Sequence, residues 1–320
     1  MDTALDLLCL GELLVDFTPA GRSPQGMALF EQNPGGAPAN VCCAVARLGG
    51  RSAFVGKVGD DPHGRFLRRA LEQEGVDVRG LLSDPAVFTT LAFVGLDEQG
   101  ERSFSFARKP GADTCLRPQE LDPALWRQAR VFHFGSLSLT DEPARSATLY
   151  ALQLARESGC LVSYDPNYRA ALWPSQALAV EQMRRVLPQV QLLKCAEEEA
   201  CLLTGRDDPL QAAQALLDEG PQAVVLTLGS QGARFFSRRC QAQAAAFPVQ
   251  AVDTTGAGDC FWGAFLLRLL ETGCAPEALT QSQAEDCLRF GCAASACCVQ
   301  GRGAIPSLPR RGTVETLLHI

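Results

Sequence analysis

One stretch carries the strongest signal in this chain, Asp253-Thr254-Thr255-Gly256-Ala257-Gly258-Asp259, and it runs into Cys260-Phe261-Trp262-Gly263-Ala264-Phe265-Leu266-Leu267. The second part has helical apolar spacing, so the glycines form a turn that opens a helix. Unpaired backbone N–H groups at such a turn predict an anion site. Asp259 would repel a bound phosphate, unless its carboxylate accepts a proton from a nucleophile while the amides hold a transferring phosphoryl group. The alternative is an Asp that only caps the helix, and this stretch alone does not decide between them.

A second glycine turn opens a helix near the N-terminus, Pro34-Gly35-Gly36-Ala37-Pro38-Ala39-Asn40. It is also explained by a loop with proline at the first helical position. Upstream, Asp16 interrupts the apolar run Leu13-Leu14-Val15-Asp16-Phe17. A carboxylate in such a strand needs partners, and the hydroxyls of a polyol can donate to it. The second turn and Asp16 therefore favour the phosphoryl-transfer interpretation of the first turn.

Composition excludes several classes of protein. The 320 residues are 47% hydrophobic and 20% charged, with a net charge of −7. An acidic chain is a poor candidate for a sequence-independent grip on nucleic acid, which needs clustered Lys and Arg. No apolar run reaches transmembrane length, and the acidic start, Met1 to Asp6, is unlike a secretory signal. We expect a cytoplasmic protein with no nucleic-acid or membrane partner.

The cysteines are predicted to be free thiols. There are 14 cysteines but no C-x-x-C pair, and only 3 histidines. Zinc-ligand spacings are therefore missing, and a disulfide framework is typical of short secreted chains. Buried thiols that act as small apolar side chains fit the Ala- and Val-rich surroundings of several of them.

Alternating strand-like and helix-like segments predict the fold. Strand candidates are residues 5–17, 52–58, 131–135, 161–164, 191–195 and 223–228, with helical spacing between them, for example over 38–48. Strands separated by helices predict a doubly wound, mostly parallel sheet flanked by helices, an α/β fold. Residues 89–94 and 103–106 flank a polar turn at 97–100 and predict a β-hairpin. We expect one domain over 1–320, with a small β-sheet lid formed by insertions at about 13–34 and 88–108.

The two glycine turns together resemble the motifs of the ribokinase-like (PfkB) carbohydrate kinases, most like bacterial fructokinase. Residues 35–40 are similar to the sugar-proximal motif of that family and residues 253–259 to its catalytic motif. The resemblance covers nearly the whole chain and implies that Asp259 is the catalytic base and that Gly256, Ala257 and Gly258 form the anion hole. The chain has no G-x-x-x-x-G-K-[ST] and no protein-kinase H-R-D or D-F-G stretch, so P-loop enzymes and protein kinases are excluded.

The same resemblance implies ATP, Mg²⁺ and K⁺ as cofactors. Glu197 matches an acidic residue that organises Mg²⁺ through water, and Lys194 stands where ribokinases carry Asn, as in fructokinase-like members, within reach of a nucleotide phosphate. The implied ATP-binding residues are Asp165, Asn167, Lys194, Glu197, Thr227, Gly229, Gly232, Gly256 and Gly258. The implied monovalent-cation loop contains Asp253, Thr255, Cys298, Gly301, Gly303 and Ser307, mostly through backbone carbonyls.

Two further segments indicate the sugar. Residues 165–169 resemble the D-x-N-x-R stretch of fructokinases and 2-keto-3-deoxygluconate kinases, and residues 108–113 resemble a fructokinase segment that follows the lid. The implied substrate contacts are Asp16, Gly35, Gly36, Asn40, Phe104, Arg108, Arg169 and Asp259. For Phe104, packing in the hairpin or at a dimer contact is an equal alternative, and for Arg169 a surface salt bridge is the alternative.

The expected reaction is ATP-dependent phosphorylation of a sugar hydroxyl, with D-fructose giving fructose 6-phosphate. The alternatives are a 2-keto-3-deoxygluconate kinase or an aminoimidazole riboside or nucleoside kinase of the same family. A non-catalytic sugar- or nucleotide-binding protein is a third possibility, although it is expected to have lost Asp259 or a glycine of the anion hole. The resemblance also implies a homodimer formed through the β lid.

Overall fold

A nine-stranded sheet forms the centre of the molecule. The computed structural model describes residues 5–96 and 102–319, with only the backbone for residues 96 and 102–104. The strands of the large sheet, in spatial order β13-β12-β11-β10-β9-β8-β1-β4-β5, are β1 (Leu5–Leu10), β4 (Ser52–Gly59), β5 (Asp77–Asp84), β8 (Ala129–Gly135), β9 (Leu161–Asp165), β10 (Leu192–Ala196), β11 (Ala223–Thr227), β12 (Ala233–Ser237) and β13 (Gln241–Ala244).

Neighbouring strands from β5 to β11 are parallel, whereas β12 and β13 add an antiparallel edge. Parallel strands need crossover connections, which here are the helices expected from the sequence. The predicted fold class is therefore confirmed. The run at 5–17 is not one strand, because β1 ends at Leu10 and the chain then turns into a strand of another sheet.

A small separate sheet contains β2 (Leu14–Arg22), β3 (Ala28–Gly35), β6 (Leu91–Leu96) and β7 (Arg102–Ala107), in the order β3-β2-β6-β7. Strands β6 and β7 pair antiparallel, as the predicted hairpin requires. The polar turn of that prediction, 97–100, lies outside the described residues. The small sheet is built from the two segments that the sequence analysis assigns to the lid.

Ten α-helices cover the two faces of the large sheet within the described part of the chain. One face packs α1 (Ala37–Arg47), α2 (Pro62–Gln73), α8 (Ala257–Thr272), α9 (Gln281–Cys298) and α10 (Arg311–Leu318). The other packs α3 (Pro123–Gln128), α4 (Ala144–Ser158), α5 (Gln176–Val186), α6 (Glu197–Thr204) and α7 (Pro209–Leu216). All 14 cysteines are free thiols, buried or half-buried, which confirms that prediction.

The strand order reverses direction beside β1, because β4 and β5 lie on one side of it and β8 to β11 on the other. In open α/β sheets ligands bind outside the carboxyl ends of the strands at such a point. The chain leaves β1 at Gly11-Glu12 and β8 at Ser136-Leu137, so these residues mark the expected site. Among the described helices, none has both the length and the apolar character needed to cross a bilayer.

Candidate active site

Two cavities meet on opposite sides of the turn at 254–259. The first encloses about 110 Å³ and is lined at this turn by Thr255, Gly256 and Asp259. The second encloses about 460 Å³ and is lined by Thr254, Ala257 and Gly258. One short turn therefore forms a wall of both cavities, with Asp259 on the side of the smaller one.

The smaller cavity gathers residues from distant parts of the sequence. It lies at the strand-order reversal beside β1, and its lining joins the two glycine turns with the small sheet. The other residues that line it are Glu12, Leu14, Asp16, Gly36, Ala37, Asn40, Phe106, Leu137, Asn167 and Arg169. Its acidic groups and amides can accept and donate hydrogen bonds to a polar ligand.

Asp259 lies in the first turn of α8, where the backbone N–H groups have no acceptor within the helix. The turn needs glycine at position 256, because Gly256 has φ of 76° and a Cβ there would lie 2.6 Å from the Cβ of Ala304. Burial raises the pKa of the Asp259 carboxyl, while the charge of Lys194 and a hydrogen bond from Asn40 oppose that rise. The result is a buried carboxylate in the first turn of a helix, beside backbone N–H groups at the positive end of the helix dipole, an arrangement suited to a base beside an anion site.

The first glycine turn is shaped by close approach to two acidic residues. A Cβ on Gly35 would lie 2.1 Å from Oδ2 of Asp16, and one on Gly36 would lie 2.3 Å from the backbone oxygen of Glu12. Gly36 also has φ of 117°, which favours glycine. Burial raises the pKa of Asp16 to about 7, and the nearby charge of Arg169 opposes that shift.

Glu12 is a cavity residue that the sequence analysis missed. It is 3% exposed, and its Oε1 accepts a hydrogen bond of 2.8 Å from the backbone N–H of Ala37 at the start of α1. Burial raises its pKa to about 7. The available signal was an acidic residue two positions after the apolar strand β1, at the carboxyl edge of a parallel sheet.

A buried charge cluster lies beneath the anion site. Lys194 Nζ donates to Asp165 Oδ2 at 2.5 Å, and the two side chains are 9% and 3% exposed. Burial opposes the charge on Lys194, but Asp165, Glu199 and Asp259 together raise the pKa of its amine. A Cβ placed on Gly258 would lie 3.2 Å from Nζ, so the ammonium is adjacent to the predicted anion site. Glu199, missed by the sequence analysis, accepts hydrogen bonds from the backbone N–H groups of Ala196 and Tyr168.

Only some of the remaining predicted nucleotide residues line the larger cavity. Thr227, Gly229 and Gly232 line it, together with apolar residues of 246–251 and of α9 that the sequence analysis did not single out. Glu197 begins α6 directly after β10, half-buried. Asn167 lies in the smaller cavity instead. Within residues 5–96 and 102–319, no three His, Cys, Asp or Glu side chains are close enough to hold a metal ion directly.

The predicted cation-loop residues come together next to the turn at 254–259. Asp253 accepts hydrogen bonds from Thr255 through Oδ1, at 2.9 Å from N and 2.7 Å from Oγ1, and from the Gly303 N–H at 3.0 Å through Oδ2. Ser307 Oγ lies 3.1 Å from Sγ of Cys298 and donates to the Gly303 carbonyl at 2.6 Å. A Cβ on Gly301 would meet Ser307 at 2.7 Å. Carbonyl and hydroxyl oxygens are ligands that suit a hard cation.

Two predicted sugar contacts are placed differently. Arg108 is not among the cavity-lining residues, because its guanidinium is buried and donates to Asp113, Thr140 and the carbonyl of Leu137. Arg108 therefore has a structural role in place of the substrate contact that the resemblance implied. The side chain of Phe104 lies outside the described residues, whereas Phe106 on the same strand lines the cavity.

Comparisons with known proteins agree with this geometry. The pfkB family carbohydrate kinase profile matches residues 4–311. The chain is 44% identical to fructokinase-1 of Oryza sativa subsp. japonica over 317 residues, covering 98% of this chain and 97% of the relative. A fructokinase of Xylella fastidiosa, solved with bound ATP, superposes with a TM-score of 0.92 at 33% identity, covering 100% and 99% of the two chains.

A double-mutant fructokinase of Vibrio cholerae O395, in fructose-, ADP- and potassium-bound form, has a TM-score of 0.86 at 34% identity, covering 99% of each chain. The chain belongs to the pfkB family of carbohydrate kinases. It is therefore a sugar kinase, a phosphotransferase with an alcohol group as acceptor.

Proposed function

We propose that the protein phosphorylates D-fructose with ATP, giving fructose 6-phosphate and ADP. The observation that carries the proposal is the turn at 254–259, which lines both the smaller and the larger cavity, with Asp259 on the side of the smaller one. A sugar in the smaller cavity and ATP in the larger one would meet across that turn. The proposal is supported by fructokinase relatives and by the fructokinase structures with bound ATP or with fructose and ADP.

In the proposed mechanism Asp259 accepts the proton of the sugar hydroxyl as its oxygen attacks the γ-phosphorus. The backbone amides of 256–259 and the ammonium of Lys194 stabilise the negative charge on the equatorial oxygens. Mg²⁺, held mostly by phosphate and water with Glu197 nearby, would neutralise phosphate charge when bound. K⁺ in the loop formed by residues 253–255 and 298–307 would fix the shape of the anion site without touching the substrate.

Alignment of the two substrates contributes at least as much as the base. Positioning can supply about 7–11 kcal/mol of the barrier, whereas a positioned base is worth roughly 10²–10⁴-fold in rate. We therefore propose that the small sheet acts as a lid over the sugar cavity, to which it contributes Leu14, Asp16 and Phe106. Closure would exclude water that otherwise hydrolyses ATP.

The charge of the smaller cavity favours a neutral sugar over a sugar acid. Its described lining residues include three acidic side chains, Glu12, Asp16 and Asp259, and one basic side chain, Arg169. A buried carboxylate facing an anionic substrate is unfavourable, while the hydroxyls of a polyol can donate to each of these groups. This balance supports fructose over 2-keto-3-deoxygluconate, and it leaves aminoimidazole riboside as the second candidate because that compound is not an acid.

We also propose a homodimer formed through the small sheet. Phe17, Phe30 and Phe93 form an aromatic cluster on it. The ring centroid of Phe93 lies 5.1 Å from that of Phe17 and 6.3 Å from that of Phe30. Phe30 and Phe93 are 47% and 38% exposed, and Met27 is 68% exposed. An exposed apolar face of this kind is suited to a second copy of the chain. Light scattering of the wild type and of Phe30→Ser tests this, and a monomeric wild type would refute it.

A coupled ADP-release assay tests the proposed function. Fructose, ribose, 2-keto-3-deoxygluconate and aminoimidazole riboside are compared as substrates, and fructose is expected to give the highest kcat/KM. Asp259→Asn should lower kcat by roughly 10²–10⁴-fold while ATP affinity and the fold are retained. Undiminished turnover in that variant refutes the base assignment, and a preference for another sugar refutes fructose as the substrate.

A further inference from the structure

The β6–β7 hairpin of the small sheet is joined to the body of the molecule by two chain segments, and both meet at one carboxylate, Asp113. Thr90, the residue before β6, donates from Oγ1 to Oδ1 of Asp113. Arg108, the residue after β7, donates from Nε to Oδ2 of the same carboxylate at 2.8 Å. A single side chain therefore joins the start and the end of the β6–β7 hairpin.

The side chains of this junction are buried, and their polar groups form hydrogen bonds. The side chains of Arg108 and Asp113 are 3% and 2% exposed. Arg108 also donates from Nη1 to Thr140 Oγ1 and from Nη2 to the Leu137 carbonyl, both at 2.9 Å. Gly111 completes the fit, since a Cβ there would lie 1.8 Å from Thr90 Oγ1 and 2.8 Å from Oδ1 of Asp113. Buried charges that are paired and fully hydrogen-bonded fix the geometry of the elements that carry them.

Asp113 does not line the smaller cavity, but three connections lead from the junction to residues that do. Phe106, two residues before Arg108 in β7, lines the cavity. Leu137, whose carbonyl accepts from Arg108, also lines it. On the other side, the carbonyl of Thr90 accepts the N–H of Val15 at 3.1 Å, and the next residue of β2 is Asp16, a further lining residue.

We propose that Asp113 and Arg108 are positioning residues that hold the small sheet against the body of the molecule and so place Phe106, Leu137 and Asp16 around the sugar. The inference rests on the proposed function, which assigns the smaller cavity to fructose. The ion pair does not contact the sugar and does not reach the larger cavity, whose lining residues include neither member. Loosening the junction should therefore weaken sugar use and leave nucleotide binding unchanged.

Two variants loosen the junction to different extents. Thr90→Val removes one hydrogen bond to Asp113 and keeps the side-chain shape, while Asp113→Asn removes the charge that Arg108 requires. Losing one buried hydrogen bond corresponds to about a 2- to 10-fold change in affinity, so Thr90→Val should raise the KM for fructose by that factor. Asp113→Asn should raise it further, and in both the KM for ATP should stay within about twofold of the wild type. If Asp113→Asn fails to fold, Thr90→Val still decides the question.

The control is Glu120→Gln, which weakens a partly exposed ion pair outside both cavities. Lys57 Nζ lies 2.7 Å from Glu120 Oε1, and the two side chains are 5% and 33% exposed. This variant should lower thermal stability without changing either KM. Fructose binding to each variant is also measured by calorimetry, so that the result does not depend on turnover alone.

A fructose KM that rises in Thr90→Val, with unchanged KM for ATP, supports the proposal. A loss of kcat with both KM values unchanged overturns the proposal, and so does an equal rise in both KM values. Neither result is selective for fructose, as a positioning role in the sugar cavity requires. A wild-type chain that phosphorylates none of the sugars overturns the proposed function, and this inference falls with it. An active wild type with unaltered fructose binding in both variants overturns this inference alone.

Discussion

Asn40 and Asp259 lie 219 positions apart in sequence, yet Nδ2 of Asn40 donates a hydrogen bond of 2.8 Å to Oδ2 of Asp259 in the buried wall between helices α1 and α8. The bond joins the two glycine turns that the sequence separates. It stabilises the ionised form of the proposed base, because an amide N–H is a donor to a carboxylate.

Asn40→Ala should move the acidic limb of the kcat/KM profile to higher pH. The variant removes a donor to the charged form, so the pKa of Asp259, already raised by burial, rises further. A hydrogen bond to a charged group corresponds to a shift of about one pH unit or more. Asn40→Asp should shift the limb further in the same direction because it adds a like charge. A limb that stays in place in both variants contradicts the assignment of Asp259 as the base.

Lys194→Met should lower both stability and kcat. A second substitution, Asp165→Asn, should restore the stability but not kcat. Alone, the variant leaves Asp165 buried and unpaired, a loss of about 3–5 kcal/mol. Adding Asp165→Asn removes the unpaired charge, so the free energy of unfolding should largely recover while kcat stays low. Denaturant unfolding and steady-state kinetics separate the two effects. Recovery of kcat in the double variant means that Lys194 has no role in charge stabilisation.

Asp16→Asn should stabilise the sugar-free protein at pH 8 but not at pH 4. Burial raises the pKa of Asp16 from an ordinary value of 3.8 to about 7. Between these two pH values the folded protein keeps a proton on Asp16 that the unfolded chain releases. Stability contributed by this group is therefore full at low pH and is lost as pH rises through 7. We expect a rise in Tm of about 2 °C or more at pH 8, together with a higher KM for fructose. A lower Tm at pH 8 would mean that the ionised carboxylate is stabilised in the folded state.

Replacing K⁺ with choline should lower kcat and Tm together. An ion that binds only the folded protein stabilises it by mass action, and the proposed loop also supports the catalytic turn. Activity and thermal unfolding are measured over a K⁺ titration, with the ionic strength held constant by choline chloride. Indifference of both quantities to K⁺ would argue against the cation loop.

Local patterns determined much of the architecture. The alternation of apolar strands with helical spacing predicted the parallel sheet, and the glycine turns located the helix starts at residues 37 and 257. Such features depend on the period and the backbone freedom of neighbouring residues, which a sequence shows directly. Residues 5–17 were predicted as one β-rich run because nothing local shows that β1 and β2 join different sheets.

The placement of side chains depended on contacts between remote segments. The resemblance implied that Arg108 contacts the sugar. In the structure its guanidinium instead donates hydrogen bonds to Asp113, Thr140 and the carbonyl of Leu137. Glu12 and Glu199 were missed because their contacts depend on remote segments: Glu12 accepts from the N–H of Ala37 in α1, and Glu199 in α6 accepts from the N–H of Tyr168.

The sequence by itself determined the fold class, the two glycine turns and the candidate base, because periodicity and glycine positions act over a few neighbouring residues. Only the tertiary structure decided that Asp259 lines one of two cavities that share the turn at 254–259, that Lys194 lies beside Gly258 of that turn, and that one carboxylate accepts hydrogen bonds from both ends of the hairpin. Those relationships join residues far apart in the chain, and their distances are set by how the sheets and helices pack.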